Sequence, residues 1–90
     1  MNTELSALRM AKIRERLAVL QPVSCEIFDD SAEHAGHAGA ATGAGHFRVA
    51  IAAEIFNGKK RIERHRLVYD SLGDLMQTDI HALVIHALAL

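Results

Sequence analysis

The feature that most constrains this chain is a strand, a helix and a second apolar run that follow one another between Phe47 and Ala87. The run from His46 to Ala53 alternates, with a large or small apolar residue at every second position, which is typical of a half-buried strand. The next segment has helical periodicity, and its apolar stripe consists of Ile62, His65, Val68, Leu72 and Leu75. We expect this helix to reach about Met76. The rest of the chain should pack against the unit formed by the strand, the helix and the second apolar run.

The last apolar run, Ile80 to Leu90, fits a helix through its Ala and Leu residues and a strand through its β-branched residues. We choose a strand, because otherwise the sheet would have only two strands, and a two-stranded sheet is marginally stable. Alternation then predicts one face with Ile80, Ala82, Val84, His86 and Leu88, and another with His81, Leu83, Ile85 and Ala87.

The N-terminal third predicts one helix and one strand. Residues 3–20 read as an amphipathic helix whose apolar face consists of Leu5, Leu8, Ile13, Leu17 and Leu20, and which ends at Gln21-Pro22. Val23 to Phe28 alternates, with Val23, Cys25 and Ile27 on one side, so that Cys25 is expected to be a small buried hydrophobe. The order α-β-β-α-β predicts an α+β domain with helices on one face of a three-stranded sheet.

Length and charge limit the class of protein. Ninety residues make one domain, residues 1–90, and a formal net charge of −1 argues against bulk attraction to polyanions. A single Cys excludes an intramolecular disulfide, and no apolar run reaches the roughly 18 residues of a membrane span. The N-terminus lacks the pattern of a signal peptide, so we expect a cytoplasmic protein without a membrane partner.

One short segment departs from this overall balance. Five cations and one anion, Glu63, lie between Lys59 and Arg66, which gives a local charge of +4. The cations are Lys59, Lys60, Arg61, Arg64 and Arg66. They can bind phosphate or an acidic partner, or they can form a solvated helix face.

A long segment between the first two strands, residues 29–45, contains four Gly and no large apolar residue. Loops of more than about 12–15 residues are uncommon in small domains and tend to be functional or disordered. This one carries His34 and His37, each of which is followed directly by Ala-Gly. The sequence leaves two interpretations open, a loop that presents an imidazole or a flexible linker.

The other four histidines differ in context. His46 begins a strand and could cap a sheet edge, and His65 lies on the helical stripe as a half-buried, hydrogen-bonded core residue. His86 is expected to be structural, whereas His81 follows a polar turn and should reach solvent. One loop histidine plus His81 gives two nitrogen ligands, too few for a closed four-coordinate site, although His and Cys together hold some iron–sulfur clusters. No nucleophile elbow or phosphate-binding loop is present, so the chain is not expected to be an enzyme.

Several motifs in order resemble one family, the BolA family. They are His46-Phe47-Arg48-Val49, Phe56-Asn57-Gly58, Arg64-His65-Arg66-Leu67-Val68-Tyr69 and Ile80-His81-Ala82-Leu83, and Asp30 to Gly36 extends the match into the loop. The resemblance implies a fold similar to the class II KH domain, with the same α-β-β-α-β order. It also implies a non-enzymatic partner of monothiol glutaredoxins.

What the resemblance implies about the site is specific. Such proteins share a [2Fe–2S] cluster with the glutaredoxin and its glutathione, which supply two thiolates. The BolA-like chain supplies the histidine of the Ile-His-Ala-Leu motif, here His81, and a loop ligand, here His34 with His37 as the alternative. Alone, the chain is expected to hold no cofactor and to be a monomer or weak homodimer.

The resemblance also implies a second role, since some bacterial members are described as transcription regulators. In KH domains a Gly-x-x-Gly loop grips nucleic acid, but the corresponding turn here, Gly58-Lys59-Lys60-Arg61, has no second Gly. Its cations could still contact DNA phosphates, so nucleic-acid binding is the alternative function. A structural adaptor that binds glutaredoxin without a cluster is the third.

Overall fold

The computed structural model describes residues 3–31 and 43–90. Three strands and three α-helices follow one another in the described chain: α1 (Thr3–Leu17), β1 (Ser24–Asp29), β2 (Gly45–Ala52), α2 (Arg61–Leu72), α3 (Leu75–Thr78) and β3 (Ile80–Leu88). Short 3₁₀ turns follow α1 and β2. Both loop histidines, His34 and His37, lie outside the described residues.

The sheet has the order β1-β2-β3, with β2 in the centre. β1 and β2 are antiparallel and adjacent in sequence, whereas β2 and β3 are parallel. Parallel strands need a long crossover, and α2 and α3 supply it. The predicted α+β architecture with a three-stranded sheet is therefore confirmed.

One face of the sheet carries the core. The predicted inward residues of β2 and the residue after it, Phe47, Val49, Ile51 and Ala53, are all buried. Ile13 and Leu17 of α1 and Val68 and Leu72 of α2 are also fully buried and belong to the same apolar cluster. Alternation in β2 thus fixes which face the helices cover.

The predicted apolar face of α1 is right in its second half and wrong in its first. Ile13, Leu17 and Leu20 are buried, but Leu5 and Leu8 are 37% and 53% exposed. The first half of α1 instead contacts the sheet and its flanks through polar side chains such as Ser6 and Arg9. Similarly, β1 begins at Ser24, and Val23 is 68% exposed.

The central helix is shorter than predicted. It ends at Leu72 because Gly73 takes a positive φ of 53° and its N–H still bonds to the carbonyl of Tyr69. Leu75 is buried as expected, but in the separate helix α3. Ile62, which the stripe placed on the apolar face, is 66% exposed in the first turn of α2. Arg64 joins this half of the helix to β3 by donating to the carbonyl of Ala87.

The faces of β3 also differ from the prediction. Ile80 is 2% exposed and shares the core with Leu83 and Ile85, which alternation placed on the opposite face. The reason is a register shift, since Gly45 pairs with Ile80 but the next residue, His46, pairs with Ala82. No helix in the described ranges is long and apolar enough to cross a membrane.

Candidate metal centre at the start of the last strand

His81 is the residue that the β2–β3 register skips. Its neighbours Ile80 and Ala82 pair with consecutive residues of β2, so His81 is the extra residue of a bulge. Bulges re-aim a side chain and occur often beside functional sites. His81 is exposed, as predicted. The bulge therefore keeps Ile80 in the core and turns the imidazole of His81 to the surface.

A second histidine, His46, lies beside His81, and this neighbour was not predicted. The two ring centroids are 5.1 Å apart with an interplanar angle of 50°. His46 is only 8% exposed, and it is the second residue of the central strand, so the expectation that it caps a sheet edge is wrong. The sequence gives no signal for the pair, because the two residues meet only through the parallel register.

Residues 29–31, at the end of β1 and directly after it, are held next to this pair. The backbone N–H of His46 donates to Ser31 Oγ at 3.0 Å, and the N–H of Asp30 donates to the carbonyl of His46 at 2.8 Å. Asp29 accepts a hydrogen bond from the Ser31 N–H at 2.9 Å and another from the Ser6 hydroxyl of α1. Burial raises the pKa of Asp29, but the bonds from Ser31 and Ser6 and the charge of Arg9 outweigh it and hold the pKa below its ordinary value.

Arg9 of α1 joins Gly43, near the start of β2, to the turn before His81. Its Nη2 donates to the carbonyl of Gly43 at 2.6 Å, and its Nε lies 3.5 Å from Asp79 Oδ2. Lys12 Nζ lies 3.5 Å from the same oxygen, and the Asp79 carbonyl accepts a bond from Gly45 N–H at 3.0 Å. A hydrogen bond from Thr78 and the charges of Lys12 and Arg9 lower the pKa of Asp79 despite its burial.

These contacts fix the backbone at the start of β3, where His81 lies. No group of three or more His, Cys, Asp or Glu side chains that could hold a metal is found among the described residues. An exposed imidazole at a bulge fits one position of a shared site, with other ligands supplied by a loop histidine and a partner. The place of His34 and His37 in such a site stays a prediction.

The cationic surface predicted from the sequence separates into two parts. Arg64 is half-buried, and its Nε donates to the carbonyl of Lys59 at 2.8 Å while Nη1 donates to that of Ala87 at 3.2 Å. Lys60, Arg61 and Arg66 are exposed. Arg64 thus has a structural role in attaching α2 to β3, and the remaining cations face outward or lie at the turn.

Cys25 lies on β1, His65 lies on α2, and His86 lies five residues beyond His81 on β3. Cys25 is half-buried against the core, and burial raises the pKa of its thiol although Arg14 opposes this effect. That environment fits the expected apolar role and not a reactive thiolate. His65 is half-buried, as predicted, and His86 is exposed on β3.

Comparison with known proteins gives a consistent result. The model of the family described as BolA-like protein matches residues 17–90. The SufE-like protein 1 of Arabidopsis thaliana, named chloroplastic/mitochondrial, is 44% identical over 85 residues, which cover 88% of this chain but 23% of that protein. The DNA-binding transcriptional regulator BolA of Escherichia coli strain K12 is 37% identical over 76 residues, covering 83% of this chain and 70% of that protein.

The solved structures agree with the sequence relatives. The BolA domain of SufE1 from Arabidopsis thaliana superposes with a TM-score of 0.76 at 41% identity, covering 88% of both chains. The fold, the matched range and the spaced motifs lead to the same assignment. The chain belongs to the BolA-like family.

Proposed function

We propose that this chain is a non-enzymatic partner of a monothiol glutaredoxin and shares a [2Fe–2S] cluster with it through His81 and a loop histidine, His34 or His37. The glutaredoxin and its glutathione would supply the thiolates, and the complex would act in iron–sulfur cluster trafficking or in iron and redox regulation. The cluster supplies redox chemistry and colour when bound, and this chain supplies imidazole ligands.

The observation that carries the proposal is the bulge at His81. A histidine on a regular strand at this position would follow the alternation and share a face with Leu83. The bulge instead exposes the ring while Ile80 and Leu83 both pack on the core. The ordered backbone around it, held by Asp79 and Gly45, suits a ligand that must meet a partner with little rearrangement.

His46 supports the same assignment as a neighbour of the ligand. Its ring packs beside His81 from a buried position in β2, so it limits the orientations that the His81 ring can adopt. This is a supporting role, since a ring with 8% exposure is poorly placed to meet a partner.

The test is to co-express the chain with a monothiol glutaredoxin, purify the complex anaerobically with glutathione, and record visible absorption and circular dichroism. We expect a coloured heterodimer whose spectrum differs from that of the glutaredoxin homodimer. His81→Ala should remove or strongly alter that spectrum.

The matched control is His86→Ala, since His86 is an exposed histidine on the same strand, five positions further along. It should leave the spectrum unchanged. An unchanged spectrum in His81→Ala would reject His81 as a ligand. A colourless complex would indicate instead a structural adaptor that binds glutaredoxin without a cluster. Single substitutions of His34 and His37 then decide which one is the loop ligand.

Nucleic-acid binding is a second candidate, favoured by the outward cations near the start of α2. Among the described residues, no ion pair involves Lys59, Lys60, Arg61 or Arg66. The E. coli relative is named a DNA-binding transcriptional regulator. Binding through phosphates should weaken steeply with salt and with neutralisation of Lys59 and Lys60. Affinity for duplex DNA that does not change with salt would reject this candidate.

A further inference from the structure

A cavity of about 390 Å³ lies between the first half of α2 and the last half of β3, at the far end of β3 from His81. Ligand pockets typically have volumes of about 300–1,000 Å³, so the space is sufficient for a small ligand. Its side chains come from both elements: Arg61, Arg64 and His65 from α2, and Ile85, His86 and Leu88 from β3.

The charge of the lining has one sign. Two arginines and two histidines line the cavity, and no Asp or Glu in the described part of the chain does. Within the described residues, none of these four side chains takes part in an ion pair. The cavity is therefore a concave surface with uncompensated positive charge, which attracts anions.

Arg64 makes one wall of the cavity rigid. Its two hydrogen bonds, to the carbonyls of Lys59 and Ala87, fix the guanidinium across the gap between helix and strand. A guanidinium has five N–H donors, so three are not used by these bonds. Donors that are held in place before a ligand arrives lose little entropy on binding it.

We infer that this cavity binds a phosphate group, either free as a small organic phosphate or as part of a nucleic-acid backbone. A tetrahedral, multiply charged anion can meet cations that approach from a helix and from a strand, whereas a planar carboxylate pairs best with one arginine. Ile85 and Leu88 offer apolar contact to the group that carries the phosphate. This site is independent of the cluster proposal, and it adds the imidazole side chains of His65 and His86 to the residues considered above.

The electrostatics of His65 support the site. Burial is the main cause of its lowered pKa, and the positive charges of Arg61 and His86 lower the pKa further. Arg64 shares the cavity, while Arg66 and Tyr69 flank His65 on its other side. A bound phosphate would oppose these effects, so it should raise the pKa of His65.

The experiment is an NMR titration of the full chain with inorganic phosphate at constant ionic strength, with chloride as the reference salt. We expect saturable shifts at Arg61, His65 and His86 and a higher pKa of His65. Arg61→Gln should weaken binding roughly tenfold, the loss typical of a hydrogen bond to a charged group. Arg66→Gln is the matched control, because Arg66 lies on the same helix outside the cavity, and it should change the affinity by less than about twofold.

Further probes identify the source of the phosphate. A single-stranded DNA oligonucleotide that competes with phosphate and loses affinity in Arg61→Gln would assign the site to a nucleic-acid backbone. Phosphate binding without competition from the oligonucleotide would assign it to a small organic phosphate. Shifts that chloride reproduces, equal binding of acetate, or equal losses in Arg61→Gln and Arg66→Gln would each overturn the inference.

Discussion

The two ends of β3 are attached to the helices in opposite ways. At the start, the carboxylate of Asp79 lies between Arg9 and Lys12 of α1, so both cations there face a negative charge. At the other end, Arg64 of α2 bonds to a backbone carbonyl, and the neighbouring side chains are an arginine and two histidines. The first end holds a backbone irregularity in place, and the second leaves positive charge available.

This difference separates the two sites that we propose on one strand. The ligand role proposed for His81 needs a fixed backbone and neighbouring cations that are paired with a carboxylate, because an unpaired positive charge would disfavour binding of a metal cation. An anion site needs the reverse, fixed donors without a competing carboxylate. The comparison predicts that substitutions at the two ends differ in their effects on stability and pH dependence.

The largest effect should come from Gly45→Ala at the start of the β2–β3 pairing. An added Cβ would lie 2.5 and 2.8 Å from two ring carbons of Phe47 and 3.2 Å from Ser31 Oγ. Phe47 is 2% exposed and cannot move aside easily. We expect the free energy of unfolding in urea to fall by about 1–3 kcal/mol.

A double-mutant cycle checks the cause of that loss. In a Phe47→Leu background the ring is absent, so Gly45→Ala should cost clearly less than it does alone. An equal cost in both backgrounds would mean that the ring does not restrict this position. The NMR signals of His81 should also shift in Gly45→Ala, because Gly45 pairs next to the bulge.

A smaller effect is expected from Asp79→Asn, which removes the charge between Arg9 and Lys12. The Asp79 side chain is 13% exposed, and loss of hydrogen bonds to charged groups should lower the free energy of unfolding by about 1–2 kcal/mol. Asp74→Asn is the control, because Asp74 also pairs with an arginine, Arg16, but is 71% exposed. It should cost about 0.5 kcal/mol or less. Equal costs for the two variants would remove the contrast between a buried and an exposed carboxylate.

The smallest effect is a difference in the pH range in which each end loses stability. His65 has a lowered pKa, so the folded chain binds fewer protons than the unfolded chain below the ordinary value of 6.5, and stability falls as the pH drops through the folded pKa. Asp79 has a pKa below its ordinary 3.8, so its contribution is present above that value and is lost as the pH falls through the folded pKa.

Urea unfolding at a series of pH values measures both steps. His65→Gln should remove the upper step and leave the lower one, whereas Asp79→Asn should make the lower step shallower. If both variants altered the same pH range, the two ends would not be electrostatically separate.

Most of the fold could be predicted because its main elements carry local patterns. The alternation of Phe47, Val49 and Ile51 and the helical spacing of Val68 and Leu72 reflect burial on one face, which is a property of neighbours in sequence. The glycine that ends α2 is also a local signal, but the stripe continues across it to Leu75, so periodicity overestimated the length of the helix.

The site could be predicted only in part, because its geometry depends on distant residues. The exposure of His81 was predicted, but the bulge was not, since alternation in β3 is compatible with two registers and Gly45 of another strand selects one. The contact of His46 with His81 and the ion pair between Lys12 and Asp79, 67 positions apart, have no local signature. The roles of His34 and His37 remain predictions.

The arginine contacts also bear on how this protein behaves at high concentration. β1 and β3 are the edge strands of the described sheet, and unpaired carbonyls on such strands can template pairing with another molecule. Arg14 donates to the carbonyl of Cys25 on β1 at 2.8 Å, and Arg64 donates to that of Ala87 on β3. Each edge thus has a carbonyl occupied by a cationic side chain from a helix, which hinders strand addition and places repulsive charge where two copies would meet.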